Sequence, residues 1–120
     1  QKCSAASRVY IPKSVWSRMG GVLCDEVAKI TMGDARDFTN FMTAVIDQRA
    51  FDKISGYIER AKASDTCEVV VGGGSDDSEG WFIEPTIIVT SDAKAESFSS
   101  TRTTTSTTCW SSATSRAPTR

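Results

Sequence analysis

The feature that most limits what this 120-residue chain can build is a break in composition near residue 96. Residues 97–120 are mostly Ser and Thr, with Arg102, Arg116 and Arg120 and no acid. Apolar residues recur there at neither the helical nor the strand period. The segment has no face to bury, and its composition predicts a disordered tail. A packed core must come from residues 1–96, enough for one small domain.

Within those residues the pattern alternates strand and helix. Residues 8–11 (Arg-Val-Tyr-Ile) alternate polar and apolar at the strand period. Pro12 ends that strand and suits the first position of a helix. Val15, Met19, Val22, Leu23, Val27 and Ile30 then recur at helical spacing, which predicts an amphipathic helix over 13–30. Gly20-Gly21 should bend or fray it, at about 1 kcal/mol per Gly relative to Ala. Residues 34–46 read as a long loop, apolar enough to lie on a surface and bury its aromatics. Asp47 is a good N-cap for a second helix whose apolar stripe is Phe51, Ile54, Ile58 and Ala61. Cys67 opens a β-branched run to Val71 that reads as a buried strand, stopped by Gly72-Gly73-Gly74. Residues 75–79 form a polar, acidic turn, and a last strand is centred on Ile87-Ile88-Val89. The order strand, helix, loop, helix, strand, turn, strand is an α/β pattern.

Charge and cysteine content narrow the classes of function. The net charge of −1 points to no nucleic-acid or membrane partner. No apolar run approaches the roughly 20 residues of a membrane span. The four cysteines, Cys3, Cys24, Cys67 and Cys109, show no CxxC spacing, and His is absent, so no metal site is expected. Reduced thiols in an intracellular setting are the expectation. Cys24 falls beside a helix stripe, Cys67 opens a strand and Cys109 lies in the tail, so these three read as structural. The run Asp76-Asp77-Ser78-Glu79 reads as a solvated turn. The triple Gly is not a phosphate loop, since no GK[ST] follows. Glu84-Pro85 shapes the start of a strand and is given no chemistry.

Several stretches, taken in order, resemble one family. They are Gln1-Lys2-Cys3-Ser4-Ala5, Met32-Gly33-Asp34 with Asp37-Phe38, Asn40-Phe41-Met42 with Ala44-Val45-Ile46-Asp47, Ala50-Phe51-Asp52-Lys53-Ile54, and Gly56-Tyr57-Ile58-Glu59. Gly72-Gly73 and Gly80-Trp81-Phe82-Ile83-Glu84-Pro85-Thr86-Ile87 complete the set. Over roughly residues 1–96 the chain resembles the aldehyde dehydrogenase superfamily, and within it the delta-1-pyrroline-5-carboxylate dehydrogenase branch. The fold this implies is a partial catalytic domain of that family.

The resemblance also implies a mechanism and a site. A cysteine thiolate attacks the aldehyde carbon, hydride passes to NAD, and the thioester left behind is hydrolysed to the acid. Cys3 takes the nucleophile's position. Lys2 and Ser4 take positions at the mouth of the aldehyde pocket, with Ser4 a hydroxyl donor to the substrate carboxylate. Glu96 and Phe98 stand where the family has the Glu and Phe of a Glu-x-Phe-Gly-Pro motif that contacts the nicotinamide ribose and ring. The resemblance implies a small-molecule aldehyde substrate, glutamate semialdehyde in this branch, and a homo-oligomeric parent. It also implies a mitochondrial matrix location in a eukaryote and a cytoplasmic one otherwise.

The chain departs from the family in two ways. It reads Glu96-Ser97-Phe98 with no Gly-Pro after it. A shift of reading frame near Ser97 would account for the Ser/Thr run: with third bases chosen freely, residues 101–112 can decode as Ala-Tyr-Asp-Asp-Val-Asp-Asp-Val-Leu-Glu-Leu. A genuine Ser/Thr linker is the alternative, and the coding DNA distinguishes the two. The family's dinucleotide-binding domain, general-base Glu and oxyanion Asn precede its cysteine. An opening on Gln1 therefore reads as a piece cut mid-domain, inactive alone. The competing readings are a non-enzymatic truncated α/β module and an aldehyde dehydrogenase of different substrate specificity.

Overall fold

The fold is described from a computed structural model, which covers Ala6, residues 8–91 and, as backbone, the strand at 107–113. In chain order the elements are β1 (Arg8–Pro12), α1 (Lys13–Ala28), α2 (Gln48–Lys62), β2 (Cys67–Val71), β3 (Ser75–Asp76), β4 (Phe82–Ile83), β5 (Thr86–Thr90) and β6 (Thr107–Ala113).

β-Branched runs build the main sheet. Its strand order is β1-β6-β5-β2. β6 runs parallel to both neighbours, with Cys109 opposite Arg8 on one side and Ile88 on the other. β2 pairs antiparallel with β5, with an irregularity between Val69 and Val71. The composition of 97–120 predicts no regular structure, yet Thr107–Ala113 occupies the slot between β1 and β5. Thr and Trp favour strands, and a slot with a ladder on each side supplies what a sequence without alternation does not. The rest of the tail lies outside the described residues.

α2 forms as its sequence predicts. The Asp47 carboxylate accepts the Ala50 N–H at 2.8 Å and caps the helix. Phe51, Ile54, Ile58 and Ala61 are all buried on one face. Ala61 packs with Ile88, Cys67 and Val69 of the main sheet. Phe51, Ile54 and Ile58 pack with Val45 and with Ile83 of β4. The helix thus fills the space between the main sheet and a small hairpin. In its last turn, Lys62 Nζ donates to Glu59 Oε1 and to the Gly73 carbonyl, both at 2.8 Å.

α1 differs from its expected form in three respects. It runs without a break through Gly20-Gly21 and ends at Ala28, not at residue 30. Gly20 is buried under the Trp16 ring, where a Cβ would lie 2.9 Å from the indole. Glycine there serves close packing, and the helix continues through it. The buried side is only partly the expected one: Val15, Leu23, Val27 and Ile30 are covered to some degree as expected, together with Trp16, Gly20 and Cys24, whereas Met19 and Val22 are exposed. Counting only aliphatic residues hid the aromatic and the glycine that define this face.

The loop over 34–46 does not bury its aromatics. Phe38 is 97% exposed, Phe41 80% and Ile46 89%, and only Val45 joins the core. The loop closes on itself instead. Gly33 N–H donates to the Met42 carbonyl at 3.1 Å, Phe41 and Met42 N–H donate to the Thr31 carbonyl, and the Thr31 hydroxyl donates to the Thr39 carbonyl. The expected acidic turn also carries structure. Ser75 and Asp76 form β3 and pair with Ile83 and Phe82 of β4. That partner is supplied from further along the chain, so local composition alone does not mark the strand.

Candidate active site

Cys3, Lys2, Ser4, Glu96 and Phe98 lie outside the described residues. Because β1 and β5 both run parallel to β6, they point the same way. The chain enters β1 shortly after Cys3 at one end of the sheet and leaves β5 toward Glu96 at the other. A parallel connection must cross back before the next strand can start. Arg8 and Thr107, the first residues of β1 and β6, therefore lie at the same end of the sheet, opposite the end where β5 finishes at Thr90.

The triple-glycine turn is the most tightly specified part of this frame. Gly72 has φ of 68°, and a Cβ there would lie 2.2 Å from the Pro85 carbonyl oxygen. Only glycine combines a positive φ with that approach. The Gly73 N–H donates to the Thr86 hydroxyl at 3.0 Å, and that hydroxyl donates to the Glu84 carbonyl at 2.7 Å. Gly74 and Glu84 are joined twice. The Gly74 N–H donates to Glu84 Oε2 at 2.9 Å, and the Glu84 N–H donates to the Gly74 carbonyl at 3.0 Å. The motif residues Gly72-Gly73 and Glu84-Pro85-Thr86 are thus two halves of one lock. The Gly73 and Gly74 amides are occupied and the Glu84 carboxylate stands beside them, an arrangement that disfavours a phosphate there.

An open groove of about 750 Å³ lies between the 32–44 loop and the β3–β4 hairpin. Asp34, Asp76, Glu79 and Glu84 line it, with Gly33 and Phe82. Asp34, Asp76 and Glu84 have local partners. Hydrogen bonds from the Arg36 side chain and backbone hold the Asp34 carboxyl below its ordinary range. Those from the Ser78 backbone and side chain do the same for Asp76. Among the described residues, the groove lining contains no thiol and no cationic side chain. Among the described residues, no three His, Cys, Asp or Glu side chains stand together to hold a metal ion.

Cys24 and Cys67 are half-buried and in no disulfide among the described residues, in keeping with their structural reading. Burial, and then the neighbouring Asp25 charge, push the Cys24 thiol above its ordinary value. A raised thiol is a poor nucleophile near neutral pH. Thr90 went unremarked in the sequence, and Thr86 was noted only as part of a family motif. They are the buried polar residues of the described core, 2% and 1% exposed, and the only outward signal is a Thr at each end of an otherwise aliphatic strand.

Comparison with known proteins gives this frame its relatives. The model of the aldehyde dehydrogenase family matches residues 1–100. The chain belongs to the aldehyde dehydrogenase family. Among curated aldehyde dehydrogenases, the mitochondrial delta-1-pyrroline-5-carboxylate dehydrogenase of Dictyostelium discoideum is 51% identical over 92 residues. That match covers 77% of this chain and 16% of the relative. Among solved aldehyde dehydrogenases, the Delta-pyrroline-5-carboxylate dehydrogenase of Mycobacterium tuberculosis superposes with a TM-score of 0.83 at 43% identity. It covers 94% of this chain and 21% of its own. A betaine aldehyde dehydrogenase variant from Staphylococcus aureus, in complex with NAD+ and with a BME-modified cysteine, superposes with a TM-score of 0.78 at 28% identity. That match covers 92% of this chain and 23% of the bacterial one. The fold is a partial aldehyde dehydrogenase domain, as the ordered motifs imply.

Proposed function

We propose that these residues are the nucleophile-bearing segment of an NAD-dependent aldehyde dehydrogenase that oxidises L-glutamate gamma-semialdehyde to glutamate, a step of proline catabolism. The observation that carries this reading is the 51% identity over 92 residues to a delta-1-pyrroline-5-carboxylate dehydrogenase. In this reading the Cys3 thiolate adds to the aldehyde carbon and forms a C–S bond. The carbonyl oxygen takes the negative charge and is stabilised by N–H donors, the cysteine's own among them. NAD, when bound, accepts the hydride and so supplies the oxidation. Water then cleaves the thioester, releasing the acid and restoring the thiolate. Ser4 donates to the substrate carboxylate, Lys2 flanks the pocket, and Glu96 and Phe98 contact the nicotinamide end of the cofactor.

Residues 1–96 carry the family's pattern, and the coding DNA decides whether the Ser/Thr-rich stretch 97–120, which includes β6, is frame-shifted. The chain spans 16% of the relative it matches, so we assign turnover to the full protein and none to the 120 residues alone. We assign that protein to a homo-oligomer, in the mitochondrial matrix of a eukaryote or the cytoplasm of a bacterium. The test is NADH formation by the full gene product with glutamate semialdehyde. Cys3→Ala should lower turnover by about 10⁴-fold or more, as loss of a covalent nucleophile does. Undiminished turnover in that variant would refute the assignment.

A further inference from the structure

We draw no further inference here: the strongest candidate, the exposed apolar side chains of Phe38, Phe41 and Ile46 on the loop between α1 and α2, carries nothing because nothing in the structure shows what covers them.

Discussion

At the scale of single residues, Gly72 and the loop aspartates show how local geometry dictates residue type. Alanine at Gly72 must hold a φ of 68° and place its methyl 2.2 Å from the Pro85 oxygen. Gly72→Ala should therefore destabilise the fold by about 1–3 kcal/mol or more, read as a drop in Tm or denaturant midpoint. Asp34 and Asp37 are both depressed below the ordinary carboxyl value of 3.8, by hydrogen bonds from Arg36 and from Thr39. A carboxyl whose folded value lies below its unfolded one adds stability that is complete above the unfolded value. That stability is lost as pH falls through the folded value. The Arg36 and Thr39 amide resonances should hold steady above about pH 5 and move together below about pH 4. Movement centred at higher pH would remove these bonds from the account. The triple Gly followed by Glu84-Pro85-Thr86 was visible in the sequence. Its meaning as a lock was not, because that depends on a hydroxyl meeting an amide across the ends of two strands.

At the scale of elements, legibility followed the strength of the local pattern. α2 carries a regular apolar stripe and a side-chain cap, so its span, cap and buried face all agree with expectation. Truncating its most buried large side chain, Ile58→Ala, should cost about 2–5 kcal/mol, measured by denaturant unfolding. A loss near zero would mean that the helix does not bridge sheet and hairpin as described. β2 and β5 were also legible, because β-branched runs between turn residues have few alternatives. α1 was only half legible: Trp16 over Gly20 sets its buried side, and neither residue is aliphatic. β3 and β6 were not legible. β3 needs β4 as partner, and β6 is a Ser/Thr-rich strand whose place is created by the edges of β1 and β5.

At the scale of the whole molecule, the described residues are a scaffold. They comprise the central sheet, α2 and the glycine lock, while we assign the chemistry to Cys3, Lys2, Ser4, Glu96 and Phe98 outside them. Those five assignments came from motif order alone, since no local periodicity marks a nucleophile or a cofactor contact. The exposed Phe38, Phe41 and Ile46 are equally opaque to sequence reasoning, which assumes that apolar loop residues find cover within the segment at hand. The central claim is that one thiol differs in kind from the others: Cys3 attacks, whereas Cys24 is held above its ordinary value by burial and by Asp25. The most direct test is site-resolved alkylation of the full gene product by iodoacetamide near neutral pH, with and without the aldehyde, read by mass spectrometry. The account predicts that Cys3 is modified first, well ahead of Cys24 and Cys67, and that the aldehyde substrate protects it selectively. Modification of Cys3 no faster than Cys24, or no protection by the aldehyde, would contradict it.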